Sequence, residues 1–283
     1  MSEPRELSSP RVVMEILRER GIRPKRSMGQ NFLIDANVVS LIARAARLSP
    51  SDEVIEVGAG LGALTGVLAE RCHRVFALEA DSRIMEVLER ELGYAGNLML
   101  VHADAAGFDF ASLWNGKPPP GVKMVSNLPY GIAASLVVDC LKRYSWISEY
   151  TVMVQREVAE RMTASPGRKD YSAASVKIQQ RATVRLIARV SRKCFYPVPG
   201  VDSEIVGIKR KDTGEAAGDF FDSVVSAAFA QRRKKLANSL SSSGLPVTRD
   251  AAERALAALG KGPWVRAETL TPDEFWKLSL LLG

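Results

Sequence analysis

Val54-Ile55-Glu56-Val57-Gly58-Ala59-Gly60-Leu61-Gly62 runs from a short β-rich segment straight into a turn of alternating glycines. Leu64, Val67 and Leu68 then recur at helical spacing, so the stretch reads as strand, tight turn and amphipathic helix. Glycine at 58, 60 and 62 lets the backbone pass close to a ligand, and the N-terminus of the helix that follows favours negative charge. The alternation continues downstream. Residues 75–79 form a second strand, Asp81 an N-cap, and Ile84, Val87, Leu88 and Leu92 the inward face of a helix that stops at Gly93. Residues 98–101 make a third strand ending near Asp104. Val122, Met124 and Val125 make a fourth, which Pro129 keeps from continuing past Asn127. Strands alternating with helices predict a parallel sheet with right-handed crossovers, whose ligands sit at the carboxyl ends of the strands. Gly58, Glu79, Asp104 and Asn127 therefore fall on one edge.

Further along, residues 132–141 read as a helix, 150–154 as a strand, 155–162 as a helix and 163–170 as a mobile basic loop. A helix opens at Tyr171-Ser172 and runs to about Arg181. Residues 183–190 alternate, placing Arg185 and Arg189 opposite Val184, Leu186, Ala188 and Val190, a strand with a basic outer side. Phe195-Tyr196-Pro197-Val198-Pro199 is too proline-rich for a central strand and reads as a stiff loop, after which residues 205–208 close the sheet. Upstream, Ser9 and Pro10 open a helix that Gly21 stops; a basic loop follows, and Asp35 caps a second helix. Small polar residues at 211–218 mark a domain boundary, with helices at 220–230, 233–241, 249–259 and 272–282 beyond it. The expected organisation is residues 1–50 as helices and basic loop joined to the catalytic domain, 51–211 as the α/β domain, and 212–283 as a small helical domain.

With 283 residues, 46% hydrophobic and 25% charged, the chain has the make-up of a globular protein with a sizeable core. No apolar run approaches the ~18 to 20 residues that cross a bilayer. The N-terminus lacks the apolar region of a secretory signal, so a cytoplasmic protein is expected. Three widely spaced cysteines and two histidines argue against a disulfide framework or a zinc site, and no metal is expected. The net charge of +7 is unevenly spread. Residues 1–50 carry nine Lys/Arg against five Asp/Glu, and 181–211 carry eight against two, on either side of an acidic middle. Two basic blocks brought together by folding would form the rim expected for a phosphate-backbone partner; left apart, they are solvated charge.

The glycine turn by itself also satisfies the loose dinucleotide pattern, so a nicotinamide-linked enzyme competes with a methyltransferase. Glu79, twenty-one residues after Gly58, stands where a carboxylate can accept ribose hydroxyls, which both cofactors have. Asp104 can accept from an adenine amino group. The fourth strand discriminates. Neither His73 nor His102 is placed at a strand end suited to proton transfer beside a nicotinamide. Asn127-Leu128-Pro129-Tyr130 instead supplies hydrogen-bond acceptors for an exocyclic amine and a ring that stacks on a base.

Taken in order, Gln30-Asn31-Phe32-Leu33, the glycine turn with its Ala63-Leu64-Thr65 continuation, Asn127-Leu128-Pro129-Tyr130, 195–203 (Phe-Tyr-Pro-Val-Pro-Gly-Val-Asp-Ser) and 229–235 (Phe-Ala-Gln-Arg-Arg-Lys-Lys) resemble the ribosomal RNA adenine N6,N6-dimethyltransferase family over nearly the whole chain. The resemblance implies an α/β, Rossmann-like class I methyltransferase sheet with a small C-terminal helical domain. It also implies transfer of methyl groups from S-adenosylmethionine to two neighbouring adenosines near the 3′ end of small-subunit ribosomal RNA, during ribosome biogenesis. Cofactor positions fall on Asn31, Leu33, Gly58, Gly60, Glu79, Asp104 and Asn127. Target-adenine positions fall on Asn127, Leu128, Pro129 and Tyr130, with Phe195 as the opposite stacking wall. Arg23, Lys25, Arg26, Arg185, Arg189, Arg232, Arg233, Lys234 and Lys235 are the expected RNA contacts, the last four on a basic helix. The partner would be the RNA itself or a pre-small-subunit particle, the protein a monomer off the membrane. Met28 and Phe32 would belong to a loop folded over the cofactor. The pattern is broken at Gly200, where relatives usually carry a basic residue.

Overall fold

The computed structural model describes residues 5–25, 29–212, 218–231 and 233–283. Arg26, Met28 and Arg232 lie outside the described residues. The chain divides into two compact units, the first comprising 1–136, 143–159 and 185–209 and the second 137–142, 160–184 and 210–283. The second unit thus takes more of the chain than the 212–283 expected from the polar boundary.

The first unit opens with helix α1 (Pro10–Glu19), whose proline at the first turn and buried Val13, Ile16 and Leu17 follow the sequence pattern. A two-residue strand, β1 (Phe32–Leu33), and helix α2 (Ala36–Ala45) come next, with Asp35 accepting from the N–H groups of Asn37 and Val38 at the helix start. The alternating region is β2 (Glu53–Val57), α3 (Ala63–Arg71), β3 (Arg74–Glu79), α4 (Ser82–Leu92), β4 (Leu98–His102) and β5 (Val122–Asn127). Helix α5 (Ala133–Arg143), β6 (Ile147–Gln155), α6 (Arg156–Thr163), α7 (Ala173–Arg181), β7 (Ala182–Val190), β8 (Phe195–Tyr196) and β9 (Ser203–Arg210) follow.

The main sheet has seven strands in the order β4-β3-β2-β5-β6-β9-β7. Strands β2 to β6 run parallel and β9 runs antiparallel to β6. From β2 the chain winds outwards to β3 and β4 on one side, and β5 and β6 extend the other, so the strand order reverses between β2 and β5. That is where an open α/β sheet leaves a crevice. The crevice is widened locally: the β2–β5 ladder pairs Val54 with Lys123 and Ile55 with Met124, and beyond it the Val57 N–H turns to the Ser126 hydroxyl at 2.9 Å.

Three expectations change. Strand β9 does not close the sheet; it lies inside it, and β7 is the outer strand. Nor has β7 a clean basic face: Leu186 is exposed, while Ile187 and Arg185 both pack over Gly207, whose missing side chain makes the room. Phe195 and Tyr196, expected in a loop, form an antiparallel ribbon with β1, pairing Leu33 with Phe195 and Phe32 with Tyr196. The ribbon needs only two residues of extended backbone, which proline at 197 allows.

The second unit contains α8 (Asp219–Ala230), α9 (Leu236–Ser241), α10 (Arg249–Ala258) and α11 (Pro272–Leu282). Its core gathers Phe221, Val224, Leu236, Leu240, Leu256, Phe275 and Leu278, together with Tyr171 and Val176 from the α7 region. Arg181 and Asp222, both nearly buried, pair at 2.9 Å there. Residues 163–170 are tied into this unit, the Gly167 N–H donating to Glu268 O at 2.7 Å. The basic run does not start a helix: Arg233 and Lys234 lie in a turn, and Lys235 precedes α9 in extended backbone, because the Leu236 N–H donates to Val265 O.

Candidate active site

A cleft of about 340 Å³ opens at the carboxyl ends of β2, β3, β4 and β5 in the first unit. The backbone shapes it. Gly58, Gly60 and Gly62 all have positive φ (76°, 57° and 90°), the conformation that lets β2 turn at once into α3. A Cβ at Gly58 would stand 3.1 Å from the Pro129 ring, so the glycine turn and the Asn-Leu-Pro-Tyr turn touch.

Glu79 ends β3 and locks the turn. Its Oε2 accepts from the Gly60 N–H at 3.0 Å, and its Oε1 from the N–H groups of Ala80 and Asp81 at 3.0 Å each. A carboxylate oxygen can accept more than one hydrogen bond, so Oε2 retains capacity for a further donor. Asp104 is exposed, with Oδ1 accepting from the Ala106 N–H at 2.9 Å. Asn31 and Leu33 also line the cleft, and the adjacent Gln30 donates to Asp81 Oδ2 at 2.9 Å. The Arg83 guanidinium, first, and this Gln30 bond hold the Asp81 carboxyl well below the usual carboxylate range.

Asn127 ends β5, and its Oδ1 is buried without a hydrogen-bond partner. A buried carbonyl oxygen left unpaired is costly, and this one lines a cleft, where an incoming N–H donor would satisfy it. Tyr130 is fixed through its hydroxyl, which shares a 3.0 Å hydrogen bond with Ser203 at the buried start of β9. Burial raises the Tyr130 pKa against the opposing effect of that bond, so the ring stays neutral.

Asn31, Leu33, Gly58, Gly60, Glu79, Asp104, Asn127, Leu128, Pro129 and Tyr130 all line the cleft. Phe195 does not. It is fully buried in the core and paired with Leu33, so the residue expected as the second stacking wall is not among those that line the cleft. His102 ends β4, one residue past the expected strand, but its ring meets Ala80 O at 3.2 Å and it is not among the residues that line the cleft. Arg23, Lys25 and Arg185 are exposed, whereas Arg189 reaches back to the buried Glu204 carboxylate at 3.3 Å. In the second unit Arg233 and Lys234 are exposed, and the Lys235 ammonium sits 3.1 Å from the centre of the Trp264 ring.

Glu56 belongs to none of the sequence motifs. It lines the cleft floor fully buried, and its Oε2 has no partner. Desolvation raises its pKa to about 8; the nearby Thr65 hydroxyl opposes the rise without making a hydrogen bond of proper geometry, and the Glu79 charge adds to it. The available signal was a carboxylate inside an otherwise apolar strand.

A glycine turn, a carboxylate at the end of β3 and a switch-point crevice are the features of a Rossmann-like sheet, and the Asn-Leu-Pro-Tyr corner stands at the same edge. The family model described as ribosomal RNA adenine dimethylase matches residues 21–261, and the chain belongs to that family. It is 42% identical over 279 residues to the ribosomal RNA small subunit methyltransferase A of Pelotomaculum thermopropionicum, covering 95% of each chain. Among solved structures, a dimethyladenosine transferase from Plasmodium falciparum superposes with a TM-score of 0.73 at 26% identity, covering 87% of this chain and 95% of that one. The 23S rRNA methyltransferase ErmE superposes at 0.66 and 30% identity, covering 89% and 99%.

Proposed function

We propose that this chain transfers methyl groups from S-adenosylmethionine to N6 of two adjacent adenosines near the 3′ end of small-subunit ribosomal RNA, acting as a monomer in the cytoplasm on RNA or a pre-small-subunit particle. The observation that carries the reading is Asn127 Oδ1: a buried, unsatisfied acceptor at the end of β5, beside a tethered aromatic ring.

The cleft suits the cofactor. Gly58 and Gly60 leave room for close approach, Glu79 Oε2 has acceptor capacity for ribose, Asp104 has a free carboxylate oxygen for an adenine amine, and Asn31 and Leu33 line the same cleft. S-adenosylmethionine, when bound, supplies a methyl group on a positively charged sulfur. The protein's own part is positioning. The lone pair of an aromatic amine is delocalised into the ring, so accepting its hydrogens at Asn127 Oδ1 and at a main-chain carbonyl of the Leu128-Pro129 turn aims that lone pair out of the ring. Tyr130 supports the base face, and the base must leave its stack or come from a single strand. No general base is needed before attack, and the proton departs to solvent afterwards. Catalysis then rests on orientation and electrostatic fit.

The test is transfer of labelled methyl to unmethylated small subunits. Wild-type protein is expected to modify two adjacent adenosines, and Asn127→Ala to lower kcat by about 10²-fold, the scale for removing one oriented polar group. Absence of transfer by folded wild-type protein, alongside an active relative, would sink the reading.

A further inference from the structure

A second concavity, of about 840 Å³, lies in the first unit beside α1. Helix α1 turns Val13, Ile16 and Leu17 inward, which leaves Arg11, Met14, Glu15 and Arg18 as one outward stripe at i, i+3, i+4 and i+7. Gly21, Arg23 and Pro24 form one margin of the groove, and Tyr196 also lines it. Its apolar surface is unusually open: Met14 is 53% exposed and Tyr196 37%. Arg11 is held by Glu15 at 3.2 Å, whereas Arg18 and Arg23 make no ion pair or side-chain hydrogen bond among the described residues. Three guanidiniums against one carboxylate leave the rim cationic around an aromatic, thioether and prolyl surface. That combination matches a nucleobase with its flanking phosphates, the chemistry by which single strands are held.

Its location connects it with the cleft. In the β1–β8 ribbon Phe32 pairs with Tyr196; Phe32 lines the cleft, 3.3 Å from where a Cβ on Gly60 would be, and Tyr196 lines the groove. We propose that this groove is a second RNA subsite, seating an unpaired nucleotide next in the strand to the adenosine being methylated, with its base against Tyr196 and its phosphates on Arg18 and Arg23. The inference rests on the function proposed above. It gives the ribbon a role: one aromatic residue to each of two neighbouring sites.

The experiment uses the full chain and unmethylated small subunits, with KM and kcat measured across a salt series and melting temperature and S-adenosylmethionine affinity as folding controls. Tyr196→Ala is expected to raise KM about threefold to tenfold, and Tyr196→Phe to behave as wild type. Arg18→Gln with Arg23→Gln is expected to raise KM at least tenfold and to lower the salt slope by about two, one per lost phosphate contact. Cofactor affinity is expected to stay within twofold. Unchanged KM and salt slope in folded variants overturn the subsite. A second readout covers variants that fold poorly: wild-type protein is irradiated with RNA carrying 4-thiouridine beside the target adenosines. A crosslink to Tyr196 or Met14 supports the subsite, and crosslinks confined to other segments overturn it. Failure of the methyl-transfer reading appears separately, as wild-type protein that binds RNA without modifying it.

Discussion

Tyr130 and Ser203 are seventy-three positions apart and share one hydrogen bond, and that bond anchors the ring near Asn127 in the cleft. Removing either end leaves the ring free to tilt. Ser203→Ala and Tyr130→Phe are each expected to lower kcat about threefold to tenfold with cofactor affinity unchanged, and the double variant to match the singles, because both delete the same bond of ordinary strength. Additive losses in that double-mutant cycle would show that the residues act separately. Glu56 yields a pH prediction. Its folded pKa of about 8 lies above the ordinary 4.5, so the folded protein holds a proton there that the unfolded chain releases. The stability this contributes is complete below about pH 4.5 and is lost as pH rises towards 8. Melting temperature of the cofactor-free protein should therefore fall across that window with a slope that Glu56→Gln reduces, and an unaltered slope in the variant would rule Glu56 out as its source. Asn127 was readable in sequence because a proline two residues on stops the strand. Glu56 was not: only the crowding of its neighbours in three dimensions makes a strand carboxyl weakly acidic.

Among the elements, the glycine turn couples packing to chemistry. Gly62 precedes α3 with φ of 90°, and a Cβ there would come within 2.7 Å of Leu92 Cδ1 and 3.1 Å of Leu7 and Leu88. Gly62→Ala thus combines left-handed backbone with overpacking, and should cost about 2 to 4 kcal/mol, measured by denaturant unfolding. A loss under 0.5 kcal/mol would mean that α4 can move aside. Elements with strong punctuation were legible: Pro10 starts α1, Asp35 and Asp81 cap α2 and α4, and α11 runs over 272–282 as read, behind a Thr271–Glu274 capping box. Elements whose form depends on a distant partner were not. Phe195 and Tyr196 are a strand only because Phe32 and Leu33 pair with them, and Arg233 and Lys234 stay outside a helix because Leu236 bonds to Val265.

At the scale of the whole chain, the polar stretch at 211–218 suggested a clean cut, yet the helical unit also takes 160–184. Tyr171 is buried in it and donates its hydroxyl to Leu270 O at 2.8 Å. A fragment ending at residue 211 would leave Tyr171 and Val176 without the core that covers them, so it is expected to bind a hydrophobic dye and melt non-cooperatively. A sharp two-state transition in that fragment would show that residues 212–283 are dispensable for folding. The basic blocks at 1–50 and 181–211 illustrate the same dependence. Composition left them as one rim or as scattered charge. The first unit joins parts of both through the β1–β8 ribbon, with Ile34 donating to Cys194 O at 2.8 Å. Among the described residues no helix is long and apolar enough to cross a membrane.

Local pattern was enough for the strand–turn–helix alternation, the sheet edge that carries Gly58, Glu79, Asp104 and Asn127, and the family, because these depend on periodicity, on backbone freedom at glycine and proline, and on motifs in a set order. Which side chains face the cleft and which the core was set when the chain folded. Folding buried Phe195, committed Arg189 to Glu204, left Asn127 Oδ1 unpaired, raised the Glu56 pKa and set a cationic groove behind Tyr196. Burial, pairing and desolvation are properties of neighbours far apart in the chain, which local pattern does not encode.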